Sequence, residues 1–219
     1  DSAYRLEKEK AEAQKLLKIE KKLEAVQAEK EAIIDTVREL ERFRHLLFEK
    51  GKPLEFAILD ALRIIGFEVT QYDDGASEFD AVFESKEGRL IGEAEGKDNK
   101  AINIDKLRQL ALNIHEDLER EEIDGPAKPV LFGNAYRLIP LGERPEPFTK
   151  KCLSASATSS TALVFTPDLF KVVKYLNDNK DARFATKCRK AILSAVGLVE
   201  FPAIPQSDNG VEEVKESAT

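Results

Sequence analysis

From Leu90 to Lys97 the chain reads Leu-Ile-Gly-Glu-Ala-Glu-Gly-Lys, and this alternation restricts its fold more than any other segment. Side chains of a strand point to opposite faces with a period of two. Glu93, Glu95 and Lys97 therefore fall on one face, and Leu90, Gly92, Ala94 and Gly96 on the other. Small residues let a helix pack closely behind such a strand, which leaves the charged face as a candidate site. Just upstream, Glu78-Phe79-Asp80-Ala81-Val82-Phe83 reads as a neighbouring strand that carries one more acid, Asp80. Glu-x-Lys also occurs at Glu20/Lys22, Glu84/Lys86 and Glu213/Lys215, as expected of a chain with 34% charged residues. Only the copy at Glu95 and Lys97 ends an apolar run, follows a strand with an acid, and leads through Asp98-Asn99 into an amphipathic helix.

Around this segment the punctuation of the sequence outlines the remaining elements. From Tyr4 to about Lys50 there is no Pro or Gly, and Glu, Lys, Ala and Leu dominate, which predicts one long helix. With Leu16 at heptad position a, the a positions read Leu16, Leu23, Lys30, Val37 and Arg44, and the d positions Ile19, Val26, Ile33, Leu40 and Leu47. That is a coiled-coil seam, and the charged a positions favour a homodimer; the alternative is a helix folded back on its own domain. Gly51-Lys52-Pro53 breaks the helix and starts another to about Ile65, capped by Gly66. Strands are expected at 67–72, 79–84 and 89–97, a helix at 103–121 and a strand at 129–132. Further helices at 149–157, 166–176 and 181–195 and a strand at 161–166 follow, and the polar tail 206–219 is expected to be disordered. The domains so read are a coiled-coil helix at 1–50, an α/β domain at 51–205 and the tail.

The net charge of -7 conceals a gradient. Residues 1–50 balance 12 basic against 12 acidic residues, 51–149 hold 12 against 21, and 150–190 are basic, with Lys150, Lys151, Lys171, Lys174, Lys180, Arg183, Lys187, Arg189 and Lys190. The basic stretch is either a polyanion-binding face or a set of solvated helix surfaces. No apolar run approaches the roughly 18 residues of a membrane span, and the first residues lack the apolar stretch of a signal peptide, which predicts a cytoplasmic protein. Cys152 and Cys188 fit no CxxC pattern and read as buried or free thiols. The absence of methionine points to a fragment of a longer protein.

The order α-β-β-β-α-β, with Asp80 on the second strand and Glu95-Gly96-Lys97 on the third, resembles the PD-(D/E)xK nucleases of the restriction-endonuclease-like superfamily, and within it the Mrr-like branch. The likeness spans about 53–133, with Phe79 where the name motif has proline. It implies a restriction-endonuclease-like core with a mixed sheet, preceded here by the long coiled-coil helix. It also implies a Mg²⁺-dependent (or Mn²⁺-dependent) endonuclease acting on DNA, in bacterial defence or repair. In that resemblance Glu55 on the first helix and Gln109 on the helix after the motif join Asp80, Glu95 and Lys97 in the site.

The chemistry accounts for these residue types. Mg²⁺ takes hard oxygen ligands and keeps several waters, so Asp80 and Glu95, with Glu55 adding a third carboxylate, are the expected metal ligands. Lys97 would orient a nucleophilic water or offset charge developing on the phosphate, and Gln109 would steady Lys97 or a phosphate oxygen. Glu93 reads either as a site residue or as a salt-bridge partner, and Asn134 as a residue reaching the site from a strand end or as a turn residue. Gly92 to Lys97 has three residues between its glycines and Asp98 after the lysine, which excludes a nucleoside-triphosphate loop. His45 and His115 are too few and too far apart for a histidine metal site, and no serine lies in a Gly-x-Ser-x-Gly elbow. Two non-catalytic readings stand beside the nuclease: a nuclease-fold domain that binds nucleic acid or a protein partner without cutting, and a coiled-coil scaffold.

Overall fold

The structure, a computed structural model, describes residues 6–71, 81–119 and 125–205. Asp80 and the expected tail 206–219 lie outside the described residues. The chain divides into two compact units, Asp1–Arg42 and Phe43–Thr219.

The first unit is essentially one helix, α1 (Glu7–Glu41). No residue of α1 is buried. Its length follows from the unbroken run of good helix formers, supported by exposed ion pairs such as Lys10 with Glu7 and Lys15 with Glu12. The expected single helix to Lys50 is corrected here. A 3-10 segment at Arg42–Arg44 ends α1, and the short helix α2 (His45–Phe48) belongs to the second unit, where Leu46 and Leu47 are buried. Arg44 and Leu47 therefore leave the heptad seam. Burying two leucines outweighs continuation of an exposed helix, because each fully buried leucine contributes roughly 1.5–3 kcal/mol.

The second unit is α/β, with a six-stranded mixed sheet in the order β1-β2-β3-β4-β5-β6. Its strands are β1 (Glu68–Gln71), β2 (Ala81–Ser85), β3 (Gly88–Gly96), β4 (Lys128–Asn134), β5 (Ala162–Phe165) and β6 (Gly197–Leu198). The first three form an antiparallel meander, in which Val82 faces Ile91 and Phe83 faces Leu90. From β3 onward the pairing is parallel. Parallel neighbours need crossovers, and these are supplied by α4 (Asp105–Leu118), then α5 (Lys150–Thr158), then α6 (Thr166–Asp178) with α7 (Ala182–Ser194). The two-residue β6 was not legible as a strand.

Strand parity sorts the core into two layers. Phe83, Leu90, Val130, Phe132 and Val164 pack with α3 (Lys52–Ile65), α6 and α7 in the larger cluster. On the other face Leu131 and Leu163 pack with Leu107 of α4 and Cys152 of α5, while Val82 and Ile91 pack with Leu110 of α4. The helix α3 ends at Gly66 in the left-handed conformation, φ 94°, as its sequence anticipates. A Cβ there would also lie 2.7 Å from the guanidinium of Arg189, which would have to shift. Both cysteines are buried free thiols. Among the described residues no helix is long and apolar enough to cross a membrane.

Candidate functional site

The charged face of β3 lies on the α4 and α5 side of the sheet, and its small-residue face lies under α3. Ala94 packs into the larger core cluster on that side. At Gly96 the fit is closest: a Cβ would meet Lys50 Cβ at 2.4 Å and the Glu49 carbonyl oxygen at 3.0 Å. The x of the Glu-x-Lys sequence is thus glycine because the strap that follows α2 crosses over it.

Glu95 and Lys97 are brought together. Lys97 Nζ lies 2.7 Å from Glu95 Oε1, with the Glu95 side chain 12% exposed. The second oxygen, Oε2, is buried and finds no hydrogen-bond partner, and it is the one such side-chain atom among the described residues. A buried carboxylate oxygen without a donor costs on the order of 1–3 kcal/mol, more for a charged group, so its presence calls for a reason. Burial, with the Glu95 charge adding to it, pushes the Cys152 thiol up to about 11, which puts that carboxylate electrostatically within reach of α5. Lys97 itself is held by its backbone: its N–H donates to the Asn134 carbonyl at 3.0 Å, and its carbonyl accepts from Arg137 N–H at 3.0 Å.

Glu93, two residues earlier on the same face, is differently occupied. Its Oε2 takes Lys106 Nζ at 3.1 Å and its Oε1 takes Asn113 Nδ2 at 3.1 Å, both from α4. Of the two readings open for Glu93, this is the salt bridge. Lys106 and Asn113 were missed by the sequence reading. The signal was their position with Gln109 along one stripe of α4, beside the apolar stripe Leu107, Leu110 and Ile114. Gln109 is exposed, and its Oε1 accepts from Lys106 Nζ at 2.8 Å, so it joins the Glu93 network rather than steadying Lys97. Glu55 lies in the first turn of α3, in the helical layer behind the strand. Asp80 precedes the first described residue of β2 and lies outside the described residues.

A second constellation clamps the strap beside the site. Asn134, at the end of β4, is fully buried; its side-chain Nδ2 donates to the Glu49 carbonyl at 2.8 Å, and its side-chain Oδ1 accepts from Arg144 at 3.0 Å. Arg144 also donates to the Leu47 carbonyl, Arg137 to the Phe48 carbonyl and Thr166 to the Leu46 carbonyl. Asn134 is therefore a structural lock at the strand end, and of its two readings, a residue reaching the site from a strand end or a turn residue, the turn residue does not hold. Asp98, next to Lys97, receives Lys50 at 3.1 Å and Arg137 at 2.6 Å, and these two bonds, Lys50 first, hold its carboxyl below the usual carboxylate range.

The basic stretch 150–190 does not form one face. Lys150 and Lys151 ride on α5, in the layer with α4, whereas Lys171, Lys174, Lys187 and Lys190 ride on α6 and α7, in the opposite layer. Arg189 is engaged in a two-point pair with Glu87 and donates to the Ile65 carbonyl.

Comparisons of the chain with family models, curated proteins and solved structures find no match. Among the described residues no group of three or more His, Cys, Asp or Glu side chains is arranged to hold a metal ion. What the described part of the site does offer is hard oxygen: one buried carboxylate oxygen with no donor, on a carboxylate whose other oxygen is paired with a lysine. That donor suits a small divalent cation better than a soft one.

Proposed function

We propose that the chain is a metal-dependent endonuclease of the PD-(D/E)xK type, hydrolysing DNA phosphodiester bonds with Mg²⁺ or Mn²⁺. The observation that carries this reading is the unpartnered Oε2 of Glu95 beside the Glu95–Lys97 pair. The element order α3-β1-β2-β3-α4-β4, with a mixed sheet and the Glu-x-Lys segment closing β3, supports a restriction-endonuclease-like fold. In this reading Glu95 and Asp80 would hold the metal ion, whereas Glu55, on α3 in the layer behind the strand, is not brought to Glu95. Glu93 is not a ligand, since α4 already occupies both its oxygens. When bound, a divalent ion lowers the pKa of a coordinated water and stabilises charge on the phosphate. Lys97, still a third exposed, donates to the nucleophilic water or to a phosphate oxygen, and Glu95 Oε1 orients it. The half-buried Lys106 and Asn113 keep Glu93 from competing for the ion. Gln109, whose acceptor oxygen takes Lys106, would steady a phosphate oxygen through its amide N–H donors.

The test is incubation of the full chain with plasmid, single-stranded DNA and RNA, with Mg²⁺ or Mn²⁺ and with chelator. Cleavage of DNA that requires the divalent ion and is lost in Glu95→Gln is the expected result. Binding of nucleic acid without cleavage under every condition would replace the nuclease by a non-cutting nuclease-fold domain.

A further inference from the structure

The apolar stripe of α1 is exposed. Leu16, Ile19, Leu23, Val26, Ile33, Val37 and Leu40 are all between 47% and 68% exposed. They occupy a and d positions from Leu16 to Leu40, a seam of roughly 37 Å at 1.5 Å per residue. A lone helix gains little from such a stripe, and seven large aliphatic residues at 3.5-residue spacing fit the matching stripe of another helix.

The charges beside the seam identify that helix and its direction. We infer that α1 forms a parallel, in-register two-stranded coiled coil with α1 of a second copy of this chain. In a parallel pair each g residue faces the e residue five positions later on the partner strand. Lys15 then meets Glu20, Lys22 meets Gln27, and Thr36 meets Glu41, so none of these contacts is repulsive. The one charged a residue of the seam, Lys30, lies beside Glu29 at the partner's preceding g position. An antiparallel pair with the same full overlap sets Leu16 against Leu40 and Ile19 against Val37, and it brings Glu29 against Glu29 across the axis. Self-pairing of like charge at that central layer disfavours the antiparallel arrangement, whereas the parallel one converts Glu29 into the counter-charge of Lys30. Lys15 is bonded to Glu12 of its own helix at 2.6 Å, and its ammonium has further donors for the partner's Glu20.

This inference is independent of the nuclease reading and is tested without it. Sedimentation velocity of the full chain at micromolar concentration should show a dimer, and Lys30→Ile should tighten it on the order of tenfold or more, since an apolar a residue replaces a charge. Val37→Cys, oxidised, should link two chains covalently, because a residues face each other in the parallel register. An equimolar mixture of Ile19→Cys and Val37→Cys chains should yield linked homodimers but no excess of the mixed species. A monomer at tens of micromolar overturns the inference. So does preferential Ile19-to-Val37 linkage, which would establish the antiparallel pair, or a larger oligomer by sedimentation. Cys152 and Cys188 are buried, so the parent chain is the non-linking control.

Discussion

The two ends of β3 both bury charge and treat it oppositely. At the N-terminal end Arg89 spends every donor group: Nη2 on Asp117 at 3.0 and 3.3 Å, Nε on Glu84 at 3.0 Å and Nη1 on the Gly125 carbonyl at 3.2 Å. Burial works against that guanidinium, and Asp117 and Glu84 more than offset it, so its pKa is raised. At the C-terminal end Glu95 has one oxygen paired and the other buried with no donor. Burial of a charge alone therefore marks nothing functional. A closed network is what structure requires, and an open valence in a buried network is what a site leaves behind.

Breaking the closed end should have the largest effect on stability. Asp117→Ala leaves Arg89 without its buried partner and is expected to cost about 3–5 kcal/mol in urea unfolding, with Arg89→Met/Asp117→Leu recovering most of it. A loss below about 1 kcal/mol for the single variant would mean that the Arg89 network is no more structural than a surface pair.

Gly96→Ala comes next. Its Cβ must displace the backbone and side chain of Lys50, so a loss of about 1–3 kcal/mol is expected, together with loss of cleavage, as the strap moves against the Glu95–Lys97 segment. Full stability in that variant would show that the strap does not bear on β3.

At the open end the same measurement should give little. Glu95→Gln removes a charge that was incompletely satisfied, and its unfolding free energy should stay within about 1 kcal/mol of the parent. A loss as large as that of Asp117→Ala would make the two ends equivalent and remove the basis of the comparison.

The smallest effects are in pH. Burial raises the Cys152 and Cys188 thiols to about 11 and about 12. Their stabilisation of the fold is complete below the unfolded thiol pKa and is lost as pH rises towards those values, so the thermal midpoint should fall steadily above pH 9. Asp98, Asp181 and Glu87 have lowered pKa values, caused first by the Lys50 bond, the Phe184 backbone N–H and the Arg189 bond respectively. Their contribution is present above the ordinary carboxylate pKa and disappears as pH falls through the lowered ones, so a second decline should begin below about pH 4. A midpoint flat from pH 9 to 11 would contradict the burial of the thiols.

The sequence made legible those features that depend on local periodicity. The faces of β3, the Gly66 cap, the three strands before α4 and the placing of α4 follow from alternation, helical spacing and turn residues. The break after Glu41 did not, because Arg42 to Lys50 contains nothing that opposes a helix. What sets Leu46 to Glu49 apart from α1 is burial of Leu46 and Leu47 and capture of four successive carbonyls by Thr166, Arg144, Arg137 and Asn134, all far along the sequence. Strand parity likewise put Glu93 and Glu95 on one face but could not tell them apart. Their difference is made by Lys106 and Asn113, which reach Glu93 and stop one strand position short of Glu95.

That difference can be read directly by calorimetric titration of Mn²⁺ into the parent chain, Glu95→Gln and Glu93→Gln. The parent should bind the ion, Glu93→Gln should keep its affinity, and Glu95→Gln should lose at least about tenfold, the equivalent of about 1.4 kcal/mol. Absence of binding to the parent, or equal binding by the parent and Glu95→Gln, would contradict the assignment of the open oxygen to a divalent cation.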